Sequence, residues 1–167
     1  DSIRVGIGGG SICSTRIRTG HGIPTLQSIL DCASVARTAK VIADGGFKKS
    51  GDIVKAIAAG ADFVVLGSML AGTDETPGDV LKKDGKLYKK YRGMASEEAQ
   101  LDWRGHCSVS EGICATVPYR GKLASVLYEI EGGIRSGFSY SGARNIAELR
   151  ARARFVKQTS SSRMESS

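Results

Sequence analysis

Four cysteines, two histidines and a scatter of carboxylates are among the side chains of this 167-residue chain with the means for covalent or proton-transfer chemistry. Cys13 stands apart by its context. It closes the run Val5-Gly6-Ile7-Gly8-Gly9-Gly10-Ser11-Ile12-Cys13, in which an apolar strand gives way to a glycine-dense turn. Glycines accept backbone angles that side chains resist, so such a turn can wrap a ligand with its amide groups free. A thiol at its end is a candidate nucleophile, because sulfur attacks electrophilic carbon well once ionised and amide donors stabilise the thiolate. Taken alone, Gly6-Ile7-Gly8 equally fits the start of many nucleotide-binding turns, and a buried thiol in an idle connection is the plain alternative. Two further glycine sites, Asp44-Gly45-Gly46 and Gly67-Ser68, extend the pattern. Ser11 and Ser68 can offer hydroxyls to a phosphate, and Asp44 can accept hydrogen bonds from ribose hydroxyls, with Asp-Gly turn chemistry as the competing account. His21 lies eight positions after Cys13, which makes a Cys–His hydrolase pair conceivable, although closeness in sequence says little about pairing in space. His106 is expected to be solvated, and Cys32, inside a helix, to act as a small buried hydrophobe.

The elements that must position these residues follow from periodicity. Ile3 to Val5 reads as a short strand. From Thr25 to Ala39, Leu26, Ile29, Leu30, Ala33, Val35 and Ala36 recur at helical spacing behind Pro24. Val41 to Ala43 is a second apolar strand. Ser50 and Asp52 can start a helix that carries Ile53, Val54, Ala56 and Ile57 and stops at Gly60. Phe63 to Leu66 is a third strand. Strand, loop and helix in repetition predict an α/β fold with a parallel sheet covered on its faces, either a barrel or an open doubly wound sheet. In both, the carboxyl ends of the strands share one edge, and all three glycine sites fall there. Beyond Thr73 the rhythm pauses. Val80 to Lys83 and Lys86 to Tyr91 flank Asp84-Gly85, a type I′ hairpin pair, and Tyr91 to Pro118 shows no sustained periodicity and reads as a flap. Leu123, Val126, Leu127 and Ile130 mark a further helix with Gly132-Gly133 inside it or at its end, and Asn145 can cap another. The polar stretch from Ser160 to Ser167 is expected to be disordered, so residues 1–158 are read as the folded domain, with the flap at about 74–120 and a tail at 159–167.

Totals narrow the function classes. A hydrophobic content of 41% suits one domain with a real core, and no run approaches the ~18 apolar residues of a spanning helix. The start lacks the shape of a signal peptide, and the four cysteines show neither paired metal spacing nor a disulfide framework, so a cytoplasmic protein with reduced thiols and no membrane association is expected. A net charge of +7 and a pI near 9.4 invite nucleic acid, but aromatics are 6% and no stacking platform is visible. A phosphate-bearing metabolite explains the charge better.

In this order, Gly8 to Arg16, Ala43-Asp44-Gly45-Gly46, Gly67-Ser68-Met69 and Tyr91-Arg92-Gly93-Met94 resemble the IMP dehydrogenase and GMP reductase family, from Ile3 to about Val156. The resemblance covers the C-terminal half of a family member. It implies about three βα units of a (β/α)8 TIM barrel with an inserted flap. It further implies Cys13 as the nucleophile at C2 of a purine nucleotide, GMP or IMP, with Thr15 and Glu111 as the proton-transfer pair of the reductase. Ser11, Asp44, Gly45, Gly46, Gly67, Ser68, Gly93, Met94, Ala95, Ser110 and Gly112 fall at nucleotide-binding positions. Ile7, Gly8, Met94 and Ser136, Gly137, Phe138 and Ser139 fall at cofactor positions for NADPH, the last four reaching it from a neighbouring subunit. Gly8, Gly10, Cys13 and Arg16 fall at a monovalent-cation (K+) site, and a homotetramer is implied. No Arg-Tyr pair of the dehydrogenase kind lies between Met94 and Glu111, a step of only 17 positions, and Ser110-Glu111-Gly112 looks like the reductase. Gly9 stands where proline is usual, Ser108 where reductases place a base-contacting arginine, and Ala43 to Gly46 with Ser68 look more like the dehydrogenase. The favoured expectation is therefore NADPH-dependent GMP reductase. IMP dehydrogenase and a nucleotide-binding remnant without catalysis are the alternatives.

Overall fold

In the computed structural model, which describes residues 1–164, three parallel strands form the platform of the chain. β1 (Ser2–Val5), β2 (Lys40–Asp44) and β3 (Phe63–Val65) lie side by side in that order, with Ile3 opposite Val41 and Ala43 opposite Val64. Parallel neighbours need a crossover, and two supply it. After a short α1 (Thr15–Thr19), α2 (Thr25–Val35) returns the chain from β1 to β2, and α3 (Ser50–Ala58) returns it from β2 to β3. Ile29 of α2, Ile53 and Ala56 of α3, and Ala43 of β2 meet with Phe47 and Met69 in one core, to which the long α5 (Leu123–Tyr140) adds Val126 and Ile130. Gly133 and Gly137 let α5 lie close on α3: a Cβ on Gly133 would strike the Ser50 side chain, and one on Gly137 would sit 2.7 Å from Val54 Cγ2. α6 (Ile146–Arg152) then sends Arg150 to the carbonyls of Ile57, Gly60 and Ala61 at the end of α3.

The excursion is a second sheet. β4 (Val80–Lys83), β5 (Lys86–Arg92) and β6 (Cys114–Pro118) are antiparallel in that order. Asp84 and Gly85 both carry positive φ, as the hairpin pair requires. A buried ammonium fastens this sheet to the platform: Lys89, 2% exposed, donates to the carbonyl of Thr73 at 3.0 Å and to that of Thr76 at 2.5 Å.

Several expectations are corrected. The flap contains α4 (Glu97–Arg104) and β6. Ser96 caps α4 by accepting the Ala99 amide, and Gly105 ends it in the left-handed conformation, so the start and stop signals were present but eight residues are too few to show a period. α2 ends at Val35, where Ala36 turns extended, short of Ala39. Of the two places open to Gly132 and Gly133, inside the helix or at its end, the structure takes the first: both lie inside α5. The tail is not wholly irregular: Ser160–Met164 forms α7, while the rest of that expectation, residues 165–167, lies outside the described residues. The described residues do not cover both faces of the parallel sheet, since Phe63 is 59% exposed and Val65 37%.

Candidate functional site at the carboxyl edge of the parallel sheet

β1, β2 and β3 each deliver a glycine loop to the same edge, and the first two of these loops touch. A Cβ on Gly6 would lie 2.5 Å from the Asp44 carbonyl oxygen, and one on Gly45 would lie 3.0 Å from the Gly10 nitrogen. Glycine is needed at Gly45 twice over, because its φ is +81°. Asp52, at the start of α3, accepts the amides of Lys48 and Lys49 and so fixes the loop that leaves β2. Around these loops lies a cavity of about 330 Å3 lined by Gly10, Ser11, Asp44, Gly45, Gly46, Gly67, Ser68, Gly93 and Met94 among others. Eight of the expected nucleotide-binding residues thus share one cavity. Ser110 and Gly112 line an adjoining cleft on α4 and β6, and Ala95 contributes its carbonyl to the flap's internal hydrogen bonds.

Arg4, Lys48, Tyr91 and Arg92 also line the cavity and were not singled out from sequence as site residues. Arg4 pairs with Asp44 at 2.8 Å, holding the carboxylate at the cavity wall. Tyr91 presses its hydroxyl against Gly67, where a Cβ would collide with it. Burial, with Asp44 adding repulsion, raises the Tyr91 phenol above its usual range, so it remains a hydrogen-bond donor. A basic residue on a strand and a tyrosine inside a hairpin look structural in sequence. Only their adjacency to Val5-Gly6 and Gly93-Met94 could have marked them.

The cysteine loop meets the flap through backbone. Ser14 donates its amide to the Glu111 carbonyl at 2.8 Å, and Ile113 donates to Ile12 at 3.0 Å. This contact sets a side-chain relay. The Cys13 thiol donates to Thr15 Oγ1 at 3.2 Å, and that hydroxyl donates to Glu111 Oε2 at 2.7 Å. Thiol, hydroxyl and carboxylate lie in one line of hydrogen bonds although Thr15 and Glu111 are 96 residues apart. His21 takes no part: its Nδ1 lies 2.8 Å from the Thr19 carbonyl, so the Cys–His pairing is replaced by Cys–Thr–Glu. His106 is exposed, as expected.

Residues expected around a cofactor or cation divide. Ile7, Gly8 and Met94 belong to the loops of this edge, whereas Ser136–Ser139 lie in the last turns of α5. Phe138 and Ser139 line a larger, mostly apolar groove of about 940 Å3 between α5 and the turn of residues 142–144 that follows it, which shares no residue with the glycine-lined cavity. Of the cation set, the Gly10 carbonyl accepts the Cys13 amide, and the Arg16 carbonyl accepts the Gly20 amide. The Arg16 guanidinium donates to the Ile7 and Ile23 carbonyls and packs over Gly8. Among the described residues no group of three or more His, Cys, Asp or Glu is placed to hold a metal. No helix among them is long and apolar enough to cross a membrane.

Glycine loops lining one cavity at the carboxyl edge of a parallel sheet, with the residues just before Cys13 along one wall and Cys13 itself outside the lining, define an α/β protein with its candidate site where such sheets take ligands. The chain belongs to the IMP dehydrogenase / GMP reductase family, whose domain matches residues 1–167. It is 51% identical to a GMP reductase of Leishmania major over 99% of its own length, and 51% identical to an inosine-5'-monophosphate dehydrogenase of Aquifex aeolicus over 95%. It spans 36% and 35% of those relatives, about a third of their length. The structure matches, with a TM-score of 0.94 and 46% identity, a crystal structure of a cysteine-to-alanine variant of GMP reductase from Trypanosoma brucei in complex with guanosine 5'-monophosphate. That match covers 100% of this chain and 36% of the other.

Proposed function

We propose that this chain is the thiol- and nucleotide-bearing part of a GMP reductase, acting in the NADPH-dependent reductive deamination of GMP to IMP and ammonia. The observation that carries the reading is the Cys13–Thr15–Glu111 relay beside a glycine-lined cavity. The thiol proton can pass through Thr15 to Glu111, leaving a thiolate to add to C2 of the purine. Glu111, now protonated, can return that proton through Thr15 to the departing amine, so that the C2–N bond breaks as ammonia leaves. NADPH, when bound, supplies the hydride that reduces C2, and the Cys13 thiolate is then released. Within the cavity, Ser11 and Ser68 with the amides of Gly46 and Gly67 suit a phosphate, and Asp44, oriented by Arg4, suits ribose hydroxyls. Ile7, Gly8 and Met94 would meet the cofactor from this chain. Ser136–Ser139, in the last turns of α5, would reach the cofactor of a neighbouring subunit, as in a homotetramer of TIM barrels to which the three parallel strands contribute. The backbone groups of Gly8, Gly10, Cys13 and Arg16 would hold a monovalent cation such as K+.

NADPH oxidation by the chain in the presence of GMP, followed by absorbance, tests the reading. Cys13→Ala should abolish it and Thr15→Val should slow it by about a hundredfold or more. Turnover that survives Cys13→Ala would sink the mechanism, and GMP binding without turnover would leave a nucleotide-binding remnant. IMP dehydrogenase is the second reading, favoured by the equal identity to the Aquifex aeolicus relative. Reduction of NAD in the presence of IMP would establish it.

A further inference from the structure

Gln100 lies on α4, is 4% exposed, and spends its whole amide on backbone groups of the flap. Its Nε2 donates to the carbonyls of Ala95 at 3.1 Å and Val109 at 2.9 Å, and its Oε1 accepts the Ser108 amide at 3.4 Å. The same Ala95 carbonyl accepts the Glu111 amide at 3.0 Å. Gln100 therefore joins the two chain segments that converge on Glu111: the turn before α4, and the strap of residues 108 and 109 that leads into the acid. A buried side-chain amide with three backbone partners is costly to disturb, because replacing it removes all three bonds at once from the segments it ties together.

We propose that Gln100 is a positioning residue for the relay: it holds the strap so that the Glu111 carboxylate stays on Thr15, and through Thr15 it sets the reactivity of the Cys13 thiol. The inference rests on the reductase reading of the relay and goes beyond it, because Gln100 touches none of Cys13, Thr15 or the cavity. Glu98, also on α4, acts elsewhere. It binds Lys90 at 2.6 Å and Arg92 at 3.3 Å and fixes the helix to β5.

The test is a cycle on the alkylation of Cys13 by iodoacetamide across pH, read on the Cys13 peptide by mass spectrometry, since Cys32, Cys107 and Cys114 are also free. Gln100→Met keeps shape and removes all three hydrogen bonds. Glu111→Gln removes the charge at the relay's end. Each should shift the Cys13 rate by about threefold or more in the same direction, and the double variant should match Glu111→Gln alone. If Gln100→Met fails to fold, judged by amide exchange in β2 and α3, Gln100→Glu replaces it. That variant retains the Ser108 contact and turns an oxygen on the Ala95 and Val109 carbonyls. A Gln100→Met rate equal to wild type, effects that multiply in the double variant, or a Glu111→Gln variant that leaves Cys13 unmoved would each overturn the proposal. In turnover, kcat should fall with KM for GMP little changed. If the wild-type chain shows no GMP-dependent NADPH oxidation, the reductase reading fails, and the alkylation cycle still decides the role of Gln100.

Discussion

Replacing Gly45 with alanine isolates what the contact between the first two glycine loops does for ligand binding. The new Cβ would stand 3.0 Å from the Gly10 nitrogen and 3.2 Å from the Gly9 carbonyl carbon, against an ordinary van der Waals separation of about 3.4–4 Å. Both obstacles are backbone, so no rotamer change relieves them, and the loops must part by a few tenths of an ångström. The strain of alanine at a φ of +81° is present with and without ligand and cancels from the affinity. The cost of pressing the loops back together does not cancel. Overpacking of this kind costs about 1–3 kcal/mol, which corresponds to GMP binding weakened about 5- to 150-fold. Gly20→Ala is the control, since Gly20 has a φ of +71° and a Cβ there would meet nothing within 4 Å. Calorimetric titration with GMP should show the control within about twofold of wild type and Gly45→Ala outside that range. Equal weakening in both variants, or in neither, would refute the argument from loop contact.

Three further predictions concern the scaffold. Asp62 accepts the Val41 amide at 2.9 Å and is flanked by Lys40 and Arg150; the amide bond first, then these charges, hold its carboxyl below the usual value of 3.8. The stabilisation is present above pH 3.8 and lost as pH falls through the lower folded value, so Asp62→Asn should cost about 1–2 kcal/mol near neutrality, measured by amide exchange in β2, and little in strong acid. Glu98 is held down to about 2, chiefly by its hydrogen bond from Lys90 and then by that from Cys114. Exchange protection of α4 should therefore hold down to about pH 4.5 and decline toward 2, and Glu98→Gln should remove that dependence; a wild-type profile flat to pH 2 would contradict it. Ile3, Phe63 and Val65 leave apolar surface on the two edge strands, which should make the chain bind hydrophobic dye, self-associate and melt broadly without cooperativity; Phe63→Lys should lower dye binding and light scattering, and a sharply melting monomer would refute this.

What the sequence disclosed well was the parallel platform and its edge. Three apolar strands each run into glycine, and that local chemistry requires no long-range information to read. The cavity residues Asp44, Gly45, Gly67 and Ser68 follow from it directly. Glu111 was reached through family resemblance rather than spacing, because what brings it to Thr15 is a backbone contact between segments far apart in the chain. Gln100 was invisible for a related reason: a glutamine on a short, strongly polar helix reads as solvent-facing, and only the fold of the strap around it buries it. The expected covering of both sheet faces failed at Phe63 and Val65, where strand composition records a burial that the described residues do not provide.

The hydrogen bonds that stitch Ile12 and Ser14 to Ile113 and Glu111 have a practical consequence for anyone exchanging parts between family members. A flap is tempting to transplant as a module, with cuts at the ends of β5 and β6. Here the cysteine loop takes its support from the interior of that module, so a donor flap differing by one residue before Glu111 would arrive out of step with Ser14. It would displace the Cys13 thiol even with Cys13, Thr15 and Glu111 all retained. Swaps that move residues 5–16 together with 91–118 should keep activity where swaps of the flap alone lose it.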